Sequence, residues 1–166
     1  YVGIGCSVNV YDTSSFIYDR SFGATGRDAG ARVAQAVQGE SMVLSTLKAR
    51  AAAAGVPAVV LTFEPHPRDV FAPAPFMFRL TEGDAKARLA EAFGLDAIAI
   101  LDFDRAFSLI EAEDFVARFL VDALGVTGVI VGSDFHFGRQ RRGTPAFLKA
   151  AGDASGFVVE TLDLMD

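Results

Sequence analysis

The chain has 166 residues, 51% hydrophobic and 22% charged, with a formal net charge of −6. This is the composition of one globular domain with a sizeable core; it excludes a disordered chain, and its acidic balance argues against a nucleic-acid partner. No apolar run reaches the length of a membrane span, and the single Cys6 excludes an internal disulfide and suits a reducing compartment, so a cytoplasmic protein without membrane contact is expected.

The chain opens on Tyr1 instead of Met, as expected of a fragment or a processed chain, and residues 1–10 carry neither a charged start nor a cleavage site, so no signal peptide is expected. Residues 1–11 read as a strand, and 12–26, rich in Ser, Thr and Gly, read as a loop. A helix is predicted over 41–54, stopped by Gly55 and Pro57. Residues 27–38 extend it upstream, although Gly30 and Gly39 each weaken that extension by about 1 kcal/mol relative to Ala. Val59-Val60-Leu61 marks a buried strand over 58–63. A helix follows over 81–94, with Thr81 and Asp84 at its start and Gly94 at its end. Strands are predicted over 97–101, 126–131 and 157–162. Between them lie a helix over 111–124, with Phe115, Phe119 and Leu120 on one face, and a short helix over 144–151 with Pro145 in its first turn. Strands alternating with helices in this way define an α/β fold, a doubly wound parallel sheet with helices on both faces.

Two runs carry the chemistry. Thr62-Phe-Glu-Pro-His-Pro67 and Gly132-Ser-Asp-Phe-His-Phe-Gly138 each follow a branched apolar strand, and they hold the only two histidines, His66 and His136. Open α/β sheets bind ligands at the carboxyl ends of their strands. Each run has two readings. Pro65-His66-Pro67 is either a stiff strap leaving the sheet or a ligand-facing turn. Phe135 and Phe137 are either core aromatics or pocket walls, and Asp134 is either a solvated or capping carboxylate or a pocket group. Arg139-Gln140-Arg141-Arg142 is either a solvated loop or a phosphate attractor. Phe63, Pro65, His66 and Pro67 are expected to approach Asp134 and Phe137 across one end of the sheet. No metal-ligand set is expected, and Cys6 reads as a small buried residue.

From about residue 44 to 163 the chain resembles the adenylyltransferase module of bacterial FAD synthetase, the bifunctional riboflavin kinase and FMN adenylyltransferase. The matching pieces stand in order: Leu61-Thr-Phe-Glu-Pro-His-Pro-Arg-Asp-Val-Phe71, Arg79-Leu-Thr81 with Lys86, Leu101-Asp-Phe-Asp104, Phe107, Glu113-Asp-Phe115, and Val131-Gly-Ser-Asp-Phe-His-Phe-Gly-Arg139. The resemblance implies a Rossmann-like nucleotidyltransferase fold, with residues 1–166 forming an FMN adenylyltransferase-like domain. It implies FMN and ATP as substrates with Mg²⁺, FAD and pyrophosphate as products, and a riboflavin kinase domain in the parent chain. It also implies a flavin pocket lined by Phe63, Pro65, His66, Pro67, Asp134 and Phe137.

The family's first strand-to-helix turn carries Gly-Asn-Phe-Asp-Gly-Val-His followed by Gly-His, whose histidines grip the ATP phosphates. Aligned backwards from Leu44, this chain has Val37-Gln-Gly-Glu40 there. A second alignment sets Val2-Gly-Ile-Gly-Cys-Ser-Val-Asn-Val-Tyr11 against that strand and turn, with a long insertion before Ser41. The later Ile-Ser-Ser-Thr-x-x-Arg motif is expected beyond Asp166. No residue takes a catalytic assignment. The alternative is a non-catalytic flavin- or nucleotide-binding module.

Overall fold

The computed structural model describes residues 1–4, 43–65, 67–71 and 94–163. Five strands, β1 (Val2–Ile4), β2 (Val59–Glu64), β3 (Ala97–Asp102), β4 (Gly128–Gly132) and β5 (Val158–Leu162), form one sheet in the order β3-β2-β1-β4-β5. Every pairing is parallel. The three-residue β1 is the central strand: Ile4 is in register with Leu61 on one side and Val131 on the other. Parallel strands covered on both faces read as continuous branched apolar runs, and β2 and β4 have that character.

The helices complete three layers. Helix α1 (43–54) lays Leu44, Leu47 and Ala51 on Ala58, Val60 and Ile130. A short helix, α2, spans Pro67–Phe71. On the opposite face, α3 begins at Ala112–Phe115 and widens into a π-helix over Val116–Ala123, where the Leu124 N–H reaches Phe119 O, five residues back, at 3.1 Å. Helix α4 (Pro145–Ser155) lies on this face too, and its Leu148 is buried with Phe115, Val116 and Leu120 of α3 against Val2, Ile4, Leu61, Phe63, Val129 and Val131. Alternation along each strand therefore feeds two cores, one per face.

Local chemistry explains the ends. Glu113 and Asp114 place negative charge in the first turn of α3, where the helix dipole favours it. Thr144 caps α4 by accepting a hydrogen bond from Phe147 N at 3.1 Å, with Pro145 in the first turn. Arg50 of α1 donates twice to Glu160 of β5, at 2.7 and 3.1 Å. Asp96 accepts from Ala58 N at 2.7 Å and ties the entries of β2 and β3 together.

Expected boundaries shift at several ends: β2 runs over 59–64 instead of 58–63 and β3 ends at 102 instead of 101. Residues 126 and 127 lie outside β4, because Val126 N donates to Leu120 O and so belongs to the exit of α3. Residue 157 lies outside β5 because Phe157 N closes the end of α4 on Gly152 O. Helix α4 runs to Ser155, four residues beyond the expected 151, until Gly156 turns left-handed. Positions 81–93 of the helix expected over 81–94, the loop over 12–26 and the helical stretch over 27–38 lie outside the described residues, as do positions 41 and 42 of the helix expected over 41–54. Among the described residues no helix is long and apolar enough to cross a membrane.

Candidate functional site

Strand order decides where a ligand sits. The chain steps outward from β1 to β2 to β3, then returns to the other side of β1 for β4 and β5. The reversal falls between β1 and β4, and open α/β sheets place their ligand crevice at the carboxyl ends flanking such a switch. The residues after Ile4 lie outside the described set, so the visible wall of the crevice is the segment from Ser133 to Gly143 that follows β4.

Behind that wall lies a cluster of phenylalanines. Phe63, at the end of β2, packs edge-on against Phe103 with centroids 5.9 Å apart. It also meets Phe107 at 5.8 Å and Phe115 at 6.2 Å. Phe115 in turn meets Phe137 at 5.2 Å, and Phe137 stacks on Phe135 at 5.4 Å with planes 18° apart. Phe63, Phe115, Phe135 and Phe137 are all buried. Such pairs are worth about 0.5–1.5 kcal/mol each beyond area burial. The two runs expected to carry the site therefore meet through a third residue, Phe115.

The remaining expected site residues are placed as follows. Glu64–Pro65 is a cis peptide and Pro65 is half-buried. Pro67 is half-buried and opens α2. His66 lies outside the described residues. Asp134 is exposed, and its carbonyl oxygen lies 2.7 Å from His136 Nδ1. A carbonyl only accepts, so in this contact the exposed His136 ring donates from Nδ1. Phe103 and Phe107, outside the expected pocket set, join Phe63 to the start of α3; their signals in the sequence are the Leu101-Asp-Phe-Asp104 motif and the separate match at Phe107.

The segment after Phe137 is held tightly. Phe137 N donates to Gly143 O at 3.0 Å and Gly143 N to Phe137 O at 2.9 Å, closing the loop at its base. Arg139 N donates to Ile110 O at 2.7 Å, and Glu111 pairs with Arg139 at 3.2 Å and Arg142 at 4.0 Å. Gly138 has φ +71°, and a Cβ there would stand 2.8 Å from the Ala112 backbone, so glycine is required on both counts. Among the described residues no group of three or more His, Cys, Asp and Glu is placed to hold a metal ion.

The fold is nucleotidyltransferase-like: a five-stranded parallel sheet between helices, with its switch between β1 and β4. The family model described as FAD synthetase matches residues 38–166, and the chain belongs to that family. A bifunctional riboflavin kinase/FMN adenylyltransferase of Pseudomonas fluorescens is 40% identical over 129 residues, 78% of this chain and 41% of that protein. A protein of the same name from Haemophilus influenzae is 35% identical over 122 residues, 74% of this chain and 40% of that protein. The Escherichia coli K12 counterpart is 34% identical over 120 residues, 72% and 38%. The chain thus spans about 40% of the length of these curated relatives. A crystal structure described as a macrolide-efflux protein from Streptococcus pneumoniae superimposes with a TM-score of 0.64 at 22% identity, over 76% of this chain and 40% of that one, a likeness of fold alone. The matched family span starts at residue 38, so β1 precedes it and yet takes the central place in the sheet. Val2–Ile4, ahead of the matched span, pairs with β2 on one side and β4 on the other.

Proposed function

We propose that this chain forms the flavin side of an FMN adenylyltransferase, transferring AMP from ATP to FMN to give FAD and pyrophosphate. The observation that carries the reading is the family match over residues 38–166, on a sheet whose β2 and β4 exits back onto one aromatic cluster. A flavin ring is flat and largely apolar, and suits aromatic and proline faces with a few polar groups. Phe63, Pro65, His66, Pro67, Asp134 and Phe137 form or support its pocket. Phe63 and Phe137 act from below, as the packed floor that fixes the loops above them; Asp134 is exposed and within reach of a ligand.

An FMN phosphate oxygen attacks the α-phosphorus of ATP, the bond to the β-phosphate bridge breaks, and pyrophosphate leaves. The protein's part is to position both phosphates and to offset charge on their oxygens. Mg²⁺ enters with ATP as part of the substrate. In the parent protein a riboflavin kinase domain is joined to this one, both working in the cytoplasm on small molecules without nucleic acid.

In the alignment run backwards from Leu44, Gln38 and Glu40 stand where the resemblance sets phosphate-gripping histidines, and there Glu40 brings a like charge to the triphosphate. Each missing donor costs about 10²–10³ in rate. Chromatographic detection of FAD from FMN, ATP and Mg²⁺ tests the proposal. FAD formation from the chain as it stands is expected to be slow or absent, and FMN-dependent formation is expected to rise at least tenfold in Gln38→His/Glu40→His. No FMN-dependent product from either protein would overturn the reading.

A further inference from the structure

The loop that closes the β4 side of the crevice holds two non-glycine residues in succession in the left-handed region, Gln140 at φ 55° and Arg141 at φ 58°. L-residues adopt that conformation at a cost, and consecutive examples persist only where surrounding contacts fix them. Those contacts are present. The Phe137–Gly143 bridge closes the base, and Arg141 N donates to Gly138 O at 3.0 Å across the turn. A Cβ on Gly143 would stand 2.7 Å from the Phe137 ring, so the base is pressed against the aromatic floor.

The three arginines of the loop are used differently. Glu111, at the start of α3, takes Arg139 and Arg142 as ion-pair partners and anchors the loop to the helix. Arg141 is exposed and has no ion pair among the described residues. The anchoring therefore leaves one guanidinium without an ion pair on a pinned turn in the segment that follows β4, in a chain of net charge −6. A planar fork of donors matches phosphate oxygens two at a time, and a prepositioned fork loses little freedom on binding. One carboxylate shared by two arginines, beside a third arginine without an ion pair, leaves this exposed loop with a net positive charge on a turn of fixed shape.

We propose that Arg141 receives a phosphate group of the bound ligand, as a binding residue whose position is set by Glu111 and by the left-handed turn at Gln140. The proposal takes its candidate ligands from the adenylyltransferase reading. Two sources share the chemistry: the monoester phosphate of FMN and the triphosphate of ATP.

Calorimetric titration of the chain and of Arg141→Gln and Arg141→Lys with FMN, riboflavin, ATP and inorganic pyrophosphate separates them. Arg141 is exposed, so both variants are expected to keep the melting temperature of the parent chain. If the FMN phosphate is the ligand, Arg141→Gln weakens FMN about tenfold and leaves riboflavin within twofold. If the triphosphate is the ligand, ATP and pyrophosphate weaken by that factor and FMN does not. Arg141→Lys recovers part of the loss, since it keeps the charge and loses the fork. Unchanged affinity for every phosphorylated ligand in Arg141→Gln overturns the proposal and leaves the adenylyltransferase reading standing. Failure of the parent chain to bind FMN or ATP, with pyrophosphate still bound through Arg141, overturns that reading and upholds the phosphate site. Failure to bind any of the phosphorylated ligands overturns both.

Discussion

Truncation of Phe137 separates a packing role from a ligand-contact role. The ring is 6% exposed. It is met by Phe115 at 5.2 Å, by Phe135 at 5.4 Å and by Phe147 at 6.0 Å, and it lies against Gly143. Phe137→Ala removes a ring that this shell closes around, and the flanking Gly138 and Gly143 carry no side chain to fill the space. Such a cavity costs about 3–5 kcal/mol, against a total of about 5–15 kcal/mol for a domain. In urea, with a slope of about 2 kcal/mol per molar, the midpoint falls by about 2 M at constant slope. The packing makes loss of stability the first effect of Phe137→Ala, ahead of any change in flavin binding. Flavin affinity is therefore better read on Phe137→Leu, which fills most of the space. A midpoint shift of less than 0.5 M in Phe137→Ala would show that the ring is not part of the packed floor.

Four further outcomes follow from the same structure. Gly138→Ala forces a Cβ to 2.8 Å from the Ala112 backbone at φ +71°, so its melting temperature should fall clearly, by the equivalent of about 2 kcal/mol or more. Thr144→Ala removes the cap on Phe147 N and should cost about 1 kcal/mol in denaturant titration, whereas Thr144→Ser should cost little. Asp96→Ala leaves Ala58 N without its acceptor and should cost about 1–2 kcal/mol by the same measurement. The hydrogen bond from Arg50 holds the Glu160 carboxyl below the ordinary glutamate range. A depressed carboxyl stabilises the fold above its unfolded pKa and loses that contribution as pH falls through the folded value. Glu160→Gln should therefore flatten the acid limb of a stability-versus-pH curve by a small amount, because Arg50 is exposed and water screens its pair with the half-buried Glu160; an unchanged limb would remove the pair from the account.

The parts of the fold with strong local signals were legible in the sequence. The apolar runs at β2 and β4, the Thr144-Pro145 start of α4 and the glycines after the helices each carry their own physical cause. The weakest signal belonged to the strand that matters most. Val2–Ile4 is three residues long and broken by Gly3, so it shows neither a long branched run nor alternation. Only its pairing with both β2 and β4 makes it central and fixes the switch point. The site was legible as two motifs but not as an assembly. Phe63 and Phe137 meet on Phe115, a residue that reads simply as the apolar face of a helix. Glu111 anchors arginines 28 and 31 positions further along the chain, a relation that no local pattern encodes.

Titration of FMN into the chain by calorimetry tests the central claim most directly, because it asks for the flavin side alone and needs no turnover. Saturable binding of one FMN per chain, in the micromolar range and reduced in Phe137→Leu, is the result this account predicts. No saturable binding of FMN or riboflavin at millimolar concentration, by a chain that melts cooperatively, would contradict it.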